Sequence, residues 1–320
     1  MTGVILEARD LQVHYRTKRG AVRAVDDVSF ELREGETLGI VGETGCGKST
    51  LGKAILGLLP PGTEVHGSLT LRGRPLLGLR EAEYRRLRGE ELALIFQDPM
   101  TRLDPLMTIR DHFIETLRSH DRSIRREDAS RRAVQVLQSM GVPASRIDYY
   151  PHEFSGGMRQ RIMIAMALAL NPKLLVADEP TTALDVIVEA QILDILLDLR
   201  KAYRMSLLLI THNLGVIAET CDRVGVMYAG QIAEIGPVED VFRRPIHPYT
   251  QGLLASTIHM HTKDLHSIDG MPPSLLEPPP GCRFHPRCPY AADICQREVP
   301  PIVEYRTAQS AACHFGKDFL

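Results

Sequence analysis

The segment Gly42-Glu-Thr-Gly-Cys-Gly47-Lys48-Ser49 constrains this chain more than any other feature. It fits the pattern G-x-x-x-x-G-K-S/T, between an apolar run at residues 37–41 and a stretch of helical periodicity at 48–58. Gly42, Gly45 and Gly47 let backbone N–H groups turn inward around an anion, and the positive end of the following helix adds to the field. Lys48 then reaches the β/γ-phosphates of a nucleotide, and Ser49, with Thr50 beside it, offers a hydroxyl to Mg2+. A strand, a glycine loop and a helix in that order imply an α/β core.

A second half-site follows at residues 173–179. Lys-Leu-Leu-Val-Ala-Asp178 is an apolar strand ending in carboxylates. Asp178 would hold Mg2+, and Glu179 would polarise an attacking water. Asp and Glu before Pro180 also suit a plain helix start; the loop at 42–49 favours the catalytic reading. A third element, Phe154-Ser155-Gly156-Gly157-Met-Arg-Gln-Arg161, precedes an apolar helix. Ser155 alone reads as an N-cap. With two glycine N–H groups at a helix start it becomes a further anion cradle.

Around these motifs, residues 5–30 read as antiparallel strands, and residues 109–170 as a helical insert with breaks at Pro143 and Pro151. A helix at 186–203 and strands at 206–211 and 224–227 resume the core. Such alternation implies a largely parallel sheet covered on both faces. A formal charge of −2 over 320 residues argues against a nucleic-acid partner. The arginine clusters at 84–88 and 118–132 alternate with carboxylates, as a solvated helix face does. No apolar leader opens the chain, and the longest uncharged apolar stretch, 162–170, falls far short of the ~20 residues that span a bilayer. The expectation is a soluble chain whose membrane role runs through partners.

Taken together, the motifs resemble those of ABC transporter ATPases. Phe96-Gln97-Asp98 resembles the Q-loop, with Gln97 on Mg2+; Ser155–Arg161 resembles the signature. Asp178-Glu179 resembles the end of the Walker B strand, Ala183-Leu184-Asp185 the D-loop, and Thr211-His212-Asn213 the switch, with His212 on the γ-phosphate. Tyr15 stands where the family stacks adenine. The resemblance implies an ABC-type P-loop NTPase core with an antiparallel β subdomain and a helical subdomain. It implies catalytic roles for Glu179, His212 and Lys48. Two such subunits would sandwich two ATP molecules, so that Ser155 and Gly157 serve the partner's nucleotide.

Residues 97–105 and 178–185, with Met227-Tyr-Ala-Gly230 and His247-Pro-Tyr-Thr250, resemble the oligopeptide/dipeptide (peptide/nickel) branch of importers. Asn213 stands where an Asp is frequent, and Arg102 and Asp104 where the branch usually has Ser and Asn. The implied organisation is a nucleotide-binding domain at 1–255 with its helical insert at about 98–170, a Pro-rich linker at 256–281, and a Cys-rich module at 282–320. The implied partners are a related second ATPase, two transmembrane permease subunits and, indirectly, an extracytoplasmic binding protein. The implied location is the cytoplasmic face of the inner membrane. Nickel or glutathione uptake, a non-transport ABC ATPase and an iron–sulfur redox sensor are the alternatives.

Four of the six cysteines, Cys282, Cys288, Cys295 and Cys313, crowd the C-terminal end. In a reducing compartment such a cluster points to a metal rather than disulfides. Four thiolates suit iron–sulfur or zinc, and reduced, unliganded thiols remain the bland alternative. Cys288-Pro289 fits ferredoxin-like runs, and the resemblance to dipeptide-type relatives implies a 4Fe-4S cluster. His259, His261 and His266 are assigned no ligand role.

Overall fold

The computed structural model describes residues 3–96, 102–181, 185–256 and 267–320. Gln97 and Asp98, the first residues of the D-loop motif (Ala183 and Leu184), and His259, His261 and His266 lie outside the described residues. Along the chain run β1 (Val4–Thr17), β2 (Gly20–Arg33), β3 (Thr37–Val41), α1 (Lys48–Ile55), β4 (Glu64–Leu71), β5 (Arg74–Pro75) and α2 (Glu81–Leu87). Then come β6 (Leu92–Ile95), α3 (Ile109–His120), α4 (Arg126–Ser139), α5 (Gly156–Leu168), β7 (Leu174–Asp178) and α6 (Val186–Tyr203). The chain ends with β8 (Ser206–Ile210), α7 (Leu214–Thr220), β9 (Arg223–Tyr228), β10 (Gln231–Pro237), α8 (Val238–Arg243), α9 (Pro248–Ala255), α10 (Asp293–Arg297), β11 (Val303–Arg306) and β12 (Gln309–Ala311).

Two compact units divide the chain. One comprises Met1–Gly78 and Leu208–Leu320, the other Leu79–Leu207. In the first unit, β1 pairs antiparallel with β2 and β4, as the alternation at 5–30 predicts, although both strands are longer than expected. Ile5, Leu6, Leu11 and Val13 of β1 are buried. All five residues of β3 are buried, which is why that segment reads as a continuous apolar run. It lies parallel to β9, in register Leu38 to Arg223.

Beyond β9 the sheet departs from the parallel expectation. β10 runs antiparallel to β9, and β12 and β11 follow it antiparallel in turn. The C-terminal residues therefore extend the core sheet rather than trail from it. Glu234 of β10 makes this possible. Fully buried, its carboxylate accepts from the backbone N–H of Ile246 and His247 and from the Gln309 side chain of β12.

The second unit holds the parallel pair β6 and β7 and the helices α2 to α6. Thr108 caps α3 and Asp185 caps α6, each accepting from a first-turn N–H. The arginine clusters are solvated faces, as their alternation with carboxylates predicts: Arg88 pairs with Glu81, and Arg125 and Arg131 both pair with Asp128. Among the described residues no helix is long and apolar enough to cross a membrane.

Candidate functional site

Four of the motifs follow the carboxyl ends of strands, where open α/β sheets bind ligands, while the signature opens the helix α5. β3 ends at Val41 and opens the phosphate loop; β8 leads into Thr211 and His212; β7 ends in Asp178; β6 stops just before Phe96.

In the first unit, the loop's course requires its glycines. Gly42 has φ 152° and Gly47 has φ 110°. A Cβ at Gly42 would stand 2.0 Å from the Met227 carbonyl oxygen, and one at Gly47 2.0 Å from that of Ala24. The loop is thus pressed against the end of β9 and against β2 at Ala24. Lys48 is buried, and its Nζ donates to the carbonyls of Gly42 at 2.7 Å and Glu43 at 3.0 Å. The ammonium is folded across the mouth of its own loop. Burial pushes the adjacent Cys46 thiol up, which keeps it protonated.

Gly47 also precedes α1 without any side-chain cap. No cap side chain therefore stands over the first turn of α1, and helix N-termini of this kind bind anions. Half-buried Tyr15 of β1 reaches the same helix start, its hydroxyl donating to Thr50 Oγ1 at 3.2 Å. His212 is exposed at the end of β8, where the Thr211 N–H bonds to Ile40 of β3. Asn213 acts locally, its Oδ1 accepting from the N–H of Gly215 and Val216 to cap α7.

Tyr249 of α9 supports the site without belonging to any of the nucleotide motifs. Its hydroxyl accepts from the Glu43 N–H at 3.0 Å, so an aromatic far along the chain props the start of the loop. Its only sequence signal is the His247-Pro-Tyr-Thr250 run.

In the second unit, Ser155 is the N-cap of α5 and accepts from Met158. Ser155 and Gly156 are exposed. A Cβ on Gly157 would meet Val188 of α6 at 2.7 Å, so this glycine is needed for packing within the unit. A Cβ on Gly156 would meet nothing within 4 Å. Among the described residues nothing internal requires a glycine at 156, whose N–H the sequence reading places in the anion cradle.

Asp178 is buried at the end of β7. Glu179 follows in the left-handed region at φ 47°, a strained conformation for a non-glycine residue of the kind that gathers at functional sites. Thr181 donates to Glu189 of α6 at 2.6 Å and steadies the turn beyond.

The four C-terminal cysteines converge. Cys282, Cys288, Cys295 and Cys313 line one small apolar cavity, together with Phe284 and Phe315. None is in a disulfide. Burial and the neighbouring thiols push Cys282 and Cys313 up to about 11 and raise Cys288 as well. Among the described residues no three His, Cys, Asp or Glu side chains close on a point as they would around a single ion.

Two family models match the chain: "ABC transporter" over residues 25–182, and "Oligopeptide/dipeptide transporter, C-terminal region" over residues 233–295. The chain is 47% identical to the oligopeptide transport ATP-binding protein OppD of Salmonella typhimurium, covering 97% of this chain and 93% of that protein. It is 48% identical to OppD of Bacillus subtilis over 99% of this chain and 88% of that one. It is 46% identical to the dipeptide transport ATP-binding protein DppD of the same organism, over 92% and 90%. Among solved structures, the ATP-binding cassette MJ0796, in a dimeric post-hydrolysis state bound to ADP and Pi, superposes with a TM-score of 0.66 at 25% identity. That match covers 73% of this chain and 99% of the cassette.

Proposed function

The chain belongs to the ATP-binding proteins of the oligopeptide/dipeptide ABC transporters and is the ATPase subunit of a peptide importer; we propose that its motifs serve two nucleotides, one held by its own phosphate loop and one by a partner's. The observation that carries this is the state of the loop. Lys48 lies against carbonyls of its own backbone, in a cradle whose Gly42 and Gly47 admit no side chain, and Tyr15 stands at the same helix start. A triphosphate placed there replaces weak carbonyl partners with phosphate oxygens, and the uncapped α1 N–H groups close on it.

Ser49 and Asp178 offer the hard oxygen donors that Mg2+ takes, with Gln97 the third residue assigned to it. When bound, that ion neutralises charge on the β- and γ-oxygens. Glu179 orients and deprotonates the attacking water, and His212 donates to the γ-phosphate. Ser155 caps α5 and presents its N-terminus outward, next to the open space at Gly156. Such a surface suits the γ-phosphate of a nucleotide held by a second, related ATPase. Closure around ATP and reopening after hydrolysis would then drive two permease subunits, fed with peptide by an extracytoplasmic binding protein. The chain would work at the cytoplasmic face of the membrane.

The cysteine module suits a 4Fe-4S cluster. Four thiols from separated segments line one apolar cavity, and burial disfavours the charged form of Cys282, Cys288 and Cys313 in the absence of a cation. Bound there, a cluster would cross-link a short segment that has little core of its own. Anaerobically purified protein should contain iron and sulfide in equal amounts. Protein with zinc alone, or with no metal, sinks that assignment.

The transport reading is tested by reconstituting the chain with its partner ATPase, permeases and binding protein in vesicles. Peptide should stimulate ATP hydrolysis and be taken up. Stimulation by nickel or glutathione, with none by peptide, overturns the peptide assignment.

A further inference from the structure

The cysteine module and the phosphate loop meet within the first unit. Arg287, next to Cys288, is buried, with 5% of its side chain exposed. Its guanidinium grips the carboxylate of Glu43 with two parallel bonds, Nη1 to Oε2 at 2.8 Å and Nη2 to Oε1 at 3.0 Å. Such fork-to-fork pairs fix geometry as well as charge. The same guanidinium donates to the carbonyl of Asp269 at 2.9 Å and to the Tyr228 hydroxyl at 3.3 Å. Glu43 is the residue after Gly42, and its own carbonyl accepts from Lys48. Four residues earlier, Arg283 donates to the Ala229 carbonyl and to Asp26. Between the two arginines, Phe284 packs against Tyr228 and Tyr249, at ring-centroid distances of 5.2 Å and 5.5 Å. The loop bounded by Cys282 and Cys288 thus plugs into the back of the phosphate site with two cations and an aromatic ring.

From this we infer that Arg287 is a positioning residue for the nucleotide: it neutralises and orients Glu43 of the phosphate loop, and so fastens the cysteine module to the ATP site. The physical need is plain. A carboxylate one residue into a polyphosphate cradle repels the ligand unless a cation holds it, and only part of the Glu43 side chain (24%) reaches water. The module supplies that cation from behind, where it cannot compete with Lys48 for phosphate. Whatever ties Cys288 in place also sets the position of Arg287, so the state of the cysteines is felt in ATP affinity.

The inference rests on residues 42–49 being the ATP cradle, and a Lys48→Ala control in the same assembled transporter separates the two ideas. Turnover that survives Lys48→Ala means the cradle itself is misassigned. With the cradle secure, Arg287→Met should raise the KM for ATP about tenfold, while kcat stays within about twofold. Adding Glu43→Gln to that variant removes the uncompensated charge and should return KM to within about twofold of the parent. A merely structural arginine gives no such rescue. An unmoved KM in Arg287→Met, or a double variant no better than the single, overturns the inference. Should Arg287→Met fail to fold, Glu43→Gln alone decides: the KM must fall by about twofold, and an unchanged or raised KM refutes the role.

Discussion

Gln160, buried in the first turns of α5, donates its side-chain amide to the carbonyl of Pro180, two residues beyond Asp178. The helix that carries Ser155 and Gly157 is thereby wired to the strand end that carries Asp178 and Glu179. The two motifs belong to one unit, and a displacement of either is felt by the other. The Oε1 of Gln160 is buried without a hydrogen-bond partner among the described residues. That atom costs stability and gains no partner among the described residues, which points to a functional reason for the glutamine.

Gln160→Leu should accordingly separate stability from activity. One hydrogen bond is lost, but one unpartnered polar atom goes with it, so the unfolding free energy should change by about 1 kcal/mol or less. The coupling between signature helix and catalytic strand is lost outright, and kcat should fall about tenfold. Thermal melts and steady-state ATPase rates on the assembled transporter measure both. A variant that melts early yet hydrolyses ATP normally contradicts the wiring.

Glu179 poses a different question because of its backbone. Glu179→Gln keeps the strained φ of 47° and removes only the proton acceptor. Loss of a general base costs about 10²- to 10⁴-fold in rate, so turnover should nearly vanish while ATP binding persists and the closed dimer accumulates. Glu179→Gly relieves the backbone as well and should give a more stable chain that is equally inactive. Near-normal turnover in the glutamine variant removes Glu179 from the mechanism.

The glycines of the phosphate loop differ in what an added methyl would meet. At Gly47 it strikes the Ala24 carbonyl, and at Gly45 it meets open space, although φ there is 82°. Gly45→Ala therefore costs only left-handed strain, about 1–2 kcal/mol. Gly47→Ala must push the loop off β2. Nucleotide binding, followed by fluorescence of a labelled ATP, should survive weakened in the first and disappear in the second. Equal losses in both would mean that packing against Ala24 does not shape the loop.

Much of this is legible in the sequence where one segment carries its own explanation. β3 and β7 are wholly buried, so their apolar runs read directly as core strands. Residues 186–203 show helical spacing, and α6 covers the same span. β10 is not legible in this way. Its alternation is broken by Glu234, and the partners that make that burial tolerable come from residues 246, 247 and 309. Likewise Arg283 and Arg287 look like filler between cysteines. Their meaning lies in Asp26 and Glu43, more than two hundred positions away. Motifs that bind a ligand are local; the braces that hold them are not.

His247 gives the chain a pH dependence with a definite sign. Its Nδ1 accepts from the Tyr249 N–H at 3.0 Å and caps α9, which requires the ring to be neutral at that atom. Burial depresses its pKa from 6.5 to about 4. A depressed folded value means that the unfolded chain takes up the proton first. The histidine's contribution to stability is therefore full above pH 6.5 and drains away as pH falls toward 4, by on the order of 3 kcal/mol in all. Glu234, pushed up by its own burial, works in the opposite sense, so the informative quantity is a difference between two proteins. His247→Asn keeps an acceptor at the cap and loses the titration. Denaturant midpoints measured from about pH 7 down to about 4.5 should fall more steeply in the parent than in His247→Asn. Parallel slopes would show that His247 is not held neutral by the fold.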